Sequence, residues 1–503
     1  MNKLVLAFLL SFSFFITKAQ SGYEVTINLK NYSDSLAYLT YYQFDKTYIK
    51  DTCRTIKNGK IIFKGKTKLD KGVYSLVGQQ KNLLFDFFIE NDNQILEINS
   101  SADANMVSNL EAKNAPILND FFGYIKFING QAKKFDIIKQ NAKGKSKNDS
   151  ISFMKSEREL LDKNFKEYEN QVWEKNKNNL LGTVLNLKID KLLKDIPKAS
   201  NGRPDSVAVF KYYKKHYWDN VNLKDDVIVK NPFFYKKLKT YFDDVVLKNP
   251  DSVAVEIDKM IVQTTSGSLV NKLLISYFTF SYETSKIVGF DKVFVHMADT
   301  YFKTGKANGV YDDHTAVDKI IKKANRLRPL LIGAKAPELF MIKASDQPKT
   351  KQIGIEAATT SEEVTKLYYA NEAVINKLFF KLNEVTADYT ILVFWDVDCS
   401  HCVVEIPKLL EIYHELKKEK KPIEIISFYT QFEGDKWLKY IEEKKLDWIN
   451  VYDGAHFNNV PEKYDVYSTP IIYILDKNKI IKGKKLGVDQ IKEYINILEK
   501  SKL

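Results

Sequence analysis

The segment Cys399-Ser400-His401-Cys402 constrains this 503-residue chain more than any other feature, because it stands between two patterns of different period. Residues 390–395 before it form a continuous apolar run with the length of a buried strand. After it, Leu409, Ile412, Tyr413 and Leu416 recur at the spacing of one helix face. A strand that feeds a helix through a tight turn is the unit of an α/β layer fold. The alternation continues, with strand patterns at residues 423–429, 470–475 and 479–481 and helix patterns at 436–444 and 490–498. The expectation is an α/β domain with a mostly parallel sheet over residues 329–503, interrupted by a polar loop or insertion at 345–363.

The spacing of the cysteines has a chemical reading. Two intervening residues keep both sulfurs within one helical turn, near enough to bond without large strain. A helix start carries about half a positive charge, which favours a thiolate there. The thiolate is the species that attacks a disulfide. Cys399, the outer sulfur, is then the nucleophile, and Cys402, one turn inside, resolves the mixed disulfide. Two other readings stay open: a static disulfide bridge, and half of a tetrahedral zinc site. The zinc site lacks a second cysteine pair and would draw His414 and His456 from afar. Pro407 lies five residues beyond Cys402, inside the helix pattern, and Thr469-Pro470 precedes a late strand, where a cis bond beside the cysteines is expected.

Upstream the texture changes twice. Residues 1–19 have a charged start, an apolar run at 4–16 and small residues before a cut after Ala19, the pattern of an export signal. The run is shorter than the roughly 20 residues a membrane helix needs, and no later stretch is long enough. The expected protein is exported to the periplasm or cell envelope, where thiols meet oxidising conditions. Residues 20–105 read as short strands: Tyr23, Val25, Ile27 and Leu29 alternate with polar neighbours, and Asn58-Gly59 is a hairpin signal. A β-sandwich-like domain follows from that spacing, with Cys53 as a small buried hydrophobe. Residues 106–328 turn helical, with Leu161, Phe165, Tyr168 and Val172 on one face and Ser150 or Asp149 as cap. The string Pro-Asp-Ser-Val-Ala-Val occurs at 204–209 and 250–255, which suggests shared helix-start chemistry. The net charge of +13 comes from lysines scattered among acids, as on solvated faces, and argues against a nucleic-acid partner. No cofactor or metal motif emerges.

Phe394-Trp395, Cys399-x-x-Cys402, Glu405, Pro407 and the late Thr469-Pro470 together resemble the thioredoxin superfamily, and more narrowly the TlpA/ResA-like thiol-disulfide oxidoreductases of the cell envelope. The segment 333–337 with Phe340, and Asp476, fit that pattern, while residues 58–65 resemble a small β-domain fused ahead of such domains in exported bacterial proteins. The resemblance implies dithiol–disulfide exchange with protein substrates, a second protein that regenerates the pair, and a reductant's direction. It implies a cis Pro470 facing the cysteines, and a Glu405 that relays a proton to Cys402. Trp395 is expected to pack beside the site. Val393 stands where thioredoxins carry a buried acid, and Asp398 precedes Cys399, where its charge opposes a thiolate. His401 pulls the other way, as a similar residue does in oxidising DsbA-like proteins. The alternative is a non-catalytic envelope binding protein whose cysteine pair is structural.

Overall fold

The computed structural model describes residues 22–190, 193, 195–358, 360–454 and 457–500. The proposed export signal at 1–19 lies outside them. Among the described residues the chain forms two units, one within Met1–Val246 plus Gln263–Val270, the other within Leu247–Val262 plus Asn271–Leu503.

In the first unit, eight strands come first: β1 (Tyr23–Lys30), β2 (Ala37–Gln43), β3 (Lys46–Cys53), β4 (Lys60–Gly65), β5 (Gly72–Gly78), β6 (Leu83–Ile89), β7 (Ile95–Ser101) and β8 (Glu111–Lys113). They form two four-stranded sheets, ordered β4-β1-β7-β8 and β3-β2-β5-β6, in the sandwich-like arrangement expected. The alternation in β1 does what its period requires: Val25, Ile27 and Leu29 are fully buried while their neighbours are half-exposed. The Tyr23 hydroxyl donates to Asp51 on β3, 2.7 Å away, tying the sheets together. Asn58 and Gly59 both adopt left-handed backbone, as a tight turn demands. Yet β4 ladders with β1 and not with the preceding β3, so the hairpin signal marks the turn but not the pairing. A Cβ on Gly59 would stand 2.0 Å from the Leu29 carbonyl, so the site admits only glycine. Cys53 is buried, as expected.

Helices α1 (Pro116–Ala142), α2 (Lys147–Asn176), α3 (Leu180–Asn186), α4 (Ser206–His216) and α5 (Phe233–Thr240) follow. The predicted face of α2 packs on α1, with Phe127 against the Phe165 and Tyr168 rings. Its cap is Ser146, which accepts from the Asp149 N–H, and not Ser150 or Asp149. The first Pro-Asp-Ser-Val-Ala-Val copy begins α4 at Ser206, capped by Asp205. The second begins α6 (Pro250–Ile261) at its proline, because Asn249 stands just outside and caps it.

After α6 come α7 (Leu269–Glu283), α8 (Asp291–Met297) and α9 (His314–Leu327), then β9 (Phe340–Lys343), α10 (Gln347–Ile353), α11 (Ser361–Ala370), α12 (Glu372–Leu378) and β10 (Phe379–Lys381). The polar stretch expected as a loop or insertion is largely helical and lies between β9 and β10, and Thr360 with Glu363 forms a reciprocal cap at the start of α11. The remainder is β11 (Tyr389–Trp395), α13 (Ser400–Lys418), β12 (Ile423–Tyr429), α14 (Gly434–Lys444), β13 (Ile449–Tyr452), α15 (Val460–Tyr464), β14 (Ile471–Asp476), β15 (Ile481–Lys484) and α16 (Ile491–Lys500). The sheet order is β10-β9-β13-β12-β11-β14-β15. Only β11–β12 and β12–β13 pair in parallel; the other four pairings are antiparallel. The mostly parallel sheet expected is corrected here: helical crossovers build the parallel centre, while a short turn joins β14 to β15 and β9 pairs with β10 as an edge ribbon.

All seven residues of β11 are buried, because both of its faces are covered. Ile391, Val393 and Trp395 meet Ile406, Leu409 and Tyr413 of α13 on one side. Leu392 and Phe394 meet Tyr464, Tyr473 and Leu330 on the other. Full burial of each such side chain contributes about 1.5–3 kcal/mol. That double covering fixes the C-terminal end of β11, from which the chain turns into α13.

Candidate functional site

Past Trp395 the chain makes a short turn, held by the Asp398 N–H donating to the Asp396 carboxylate at 3.0 Å, and Cys399 becomes the residue that caps α13. The Cys402 N–H points at Cys399 Sγ, 3.4 Å away. Cys399 is half-buried, whereas Cys402 has no exposed surface and belongs to the core under α13. Both are free thiols. The Thr469–Pro470 bond is cis, as the resemblance implied, and the Thr469 carbonyl accepts from Cys399 Sγ at 3.3 Å. Thr469 is therefore brought to Cys399 from the start of β14, the strand hydrogen-bonded beside β11.

The two sulfurs ionise differently. Burial works against ionisation of Cys399, but it is outweighed by hydrogen bonds from the Thr469 hydroxyl, from Cys402 and from the Cys402 and His401 backbone, which hold this thiol below its ordinary value. Burial pushes the Cys402 thiol up to about 12, and the neighbouring Cys399 sulfur adds to that rise. In the reduced protein the pair thus presents one ionisable, accessible sulfur and one held protonated in the core until exchange begins.

The other residues singled out in the sequence fall into place unevenly. Trp395 is fully buried in the same core as Cys402, its indole N–H donating to Ser427 Oγ at 2.7 Å, and Ser427 in turn donates to Asn450 at 3.1 Å. His401 is exposed, and its backbone favours the Cys399 thiolate. Asp398 does not act as a bare charge, because Lys436 on α14 holds both its oxygens at 2.5 Å. Glu405 is bound by Lys408 at 2.8 Å, and no hydrogen bond joins it to either sulfur among the described residues. His414 pairs with Asp447 at 3.0 Å, and His456 lies outside the described residues. Lys436 and the amides escaped the sequence reading. Lys436 is remote in sequence, and amides carry no side-chain signature, though a capping position announces them.

Residues 387–481 match the family model described as "Thioredoxin-like". Residues 23–115 and 161–316 match two domains of unknown function, DUF4369 and DUF5106. No curated protein matches. Among solved structures, a domain of a possible thiol-disulfide isomerase from Cytophaga hutchinsonii is 31% identical, covering 34% of this chain and 96% of its own, with a TM-score of 0.27. A thioredoxin-like protein from Bacteroides caccae is 19% identical over 61% of this chain and 99% of its own, TM-score 0.33. The thioredoxin domain of a thiol-disulfide oxidoreductase from Bacteroides vulgatus is 23% identical over 33% and 96%, TM-score 0.25. No helix among the described residues is long and apolar enough to cross a membrane. With a family match that spans the cysteine pair at its helix start and the Thr469–Pro470 bond beside it, the chain belongs to the thioredoxin superfamily, and carries an N-terminal β-domain of the DUF4369 kind.

Proposed function

We propose that this protein is an exported thiol-disulfide oxidoreductase that reduces disulfides of proteins in the cell envelope and is recharged by a separate dithiol protein. The observation that carries the exchange chemistry is the opposite displacement of the two thiols, Cys399 down and Cys402 up to about 12, while the reducing direction rests on the resemblance to the TlpA/ResA-like oxidoreductases. The Cys399 thiolate attacks one sulfur of a substrate disulfide; that bond breaks as the mixed disulfide forms, and the departing thiolate takes the Cys402 proton. Cys402 then attacks Cys399 Sγ, releasing the second substrate thiolate, which is protonated from water. The substrate gains two electrons, and the protein is left with a Cys399–Cys402 disulfide that the partner dithiol reduces. Thr469 and Pro470 form the edge along which the substrate lies, and Trp395 supports the pair from beneath. Glu405 is assigned no step, because its carboxylate lies on Lys408. The leader pattern in residues 1–19 supports the envelope location.

Thiol trapping of the reduced protein tests the reading. Cys399 is expected to label well below pH 8, and Cys402→Ser to accumulate mixed disulfides with envelope proteins. Labelling of Cys399 only above about pH 9, the unperturbed thiol range, refutes it.

A further inference from the structure

Beside Thr469 opens a groove of about 1330 Å3, wholly within the second unit. One wall is α11, a helix of the segment inserted between β9 and β10, and the other is formed by the loops that follow β12 and precede β14. Four rings along it keep unusual exposure for their size: Tyr369 70%, Tyr467 61%, Phe432 42% and Phe457 36%. Soluble proteins seldom leave so many large side chains together at the surface unless something binds there. The volume exceeds the roughly 300–1,000 Å3 of small-molecule pockets, which favours a chain over a metabolite. The charge is selective as well. Its described lining holds the carboxylates of Glu356 and Asp453 and no lysine or arginine, and the Arg326 guanidinium that lies 4.7 Å from the centre of the Tyr467 ring is itself paired with Asp465. The lining of the groove includes Thr469, whose carbonyl accepts from Cys399 Sγ at 3.3 Å, so a chain lying in it runs up to the residue next to the reactive sulfur.

We infer that this groove selects the substrate: an extended polypeptide segment bearing an aromatic or large apolar residue close to its cysteine and a lysine or arginine further along. The rings take the apolar side chain, the two carboxylates attract the base, and the inserted helix supplies a wall that the sheet and α13 do not provide. The inference rests on the exchange reaction proposed above.

The test uses the full-length reduced protein and two synthetic peptides, each linked through one cysteine to nitrothiobenzoate. One carries Phe and Lys beside the cysteine, the other Ser and Glu; a small aromatic disulfide serves as reference. Reporter release is expected to be about tenfold faster from the Phe/Lys peptide, as two aromatic contacts supply. In Tyr369→Ala/Phe432→Ala the ratio of the two rates is expected to fall towards one, and Tyr467→Ala, a single change in the loop before β14, gives the same readout should the double variant misfold. Equal rates from both peptides in the unaltered protein, or a preference that survives these substitutions, overturns the inference while leaving the exchange reading intact. No reaction with the small disulfide overturns both.

Discussion

Lys484, on the outer strand β15, offers the sharpest test of how the second unit is held together. Its side chain is 4% exposed, and burial lowers its pKa. The ammonium has two partners: the carboxylate of Asp291, at the start of α8, and the Leu330 carbonyl at 2.6 Å. Asp291→Ala removes the carboxylate paired with the ammonium and leaves it hydrogen-bonded to the Leu330 carbonyl, with the charge of Asp465 acting from further off. Breaking a buried pair from one side costs about 3–5 kcal/mol. For a unit of this size, 1 kcal/mol moves the midpoint by about 2–4 °C, so a fall of roughly 6–20 °C is expected. Calorimetry of the purified variant measures it. The companion variant Asp291→Leu/Lys484→Met replaces the pair with apolar groups of similar volume, and is expected to lie within about 1–2 kcal/mol of the starting protein. A single variant that costs less than about 1 kcal/mol would refute the argument, because the ammonium would then have found water or another acceptor.

Two further outcomes follow from the site. Lys436→Gln releases the Asp398 carboxylate beside Cys399, so the thiolate titration of Cys399, followed by absorbance at short ultraviolet wavelength, is expected to move to higher pH; an unmoved curve means Asp398 is screened by solvent. Because the folded pKa of Cys399 is lowered, the unfolded chain binds more protons between that value and the ordinary one. The reduced protein therefore gains stability relative to Cys399→Ser as pH rises through that window. The gain is fully present above the ordinary thiol pKa and lost as pH falls through the folded one. Urea unfolding of both proteins at several pH values reads it, and a difference independent of pH contradicts the assigned direction.

What the sequence made legible was whatever one element states by itself. β11 and β12 announce themselves as unbroken apolar runs because both faces of the sheet are covered, and the cysteine pair marks the junction with α13. Thr469-Pro470 was legible as a likeness to relatives. What stayed hidden depends on partners remote in the chain or on polar surface. α10, α11 and α12 bury few residues each, so their apolar period is faint, and among them a capping box, Thr360 with Glu363, forms only at α11. β9, β10 and β13 have three or four residues each, too few to show a period. The contacts of Asp398 and Glu405 turned on lysines, Lys436 and Lys408, that composition counts but does not aim.

The twin hexapeptides carry a lesson about local words. Six identical letters open α4 at the third letter and α6 at the first, because what stands immediately outside is arginine in one place and asparagine in the other. Reading frame, in this sense, belongs to the neighbour and not to the phrase. Transplanting the phrase into a new protein would carry helix-forming character with it, but the starting point of the spiral would be dictated by the host.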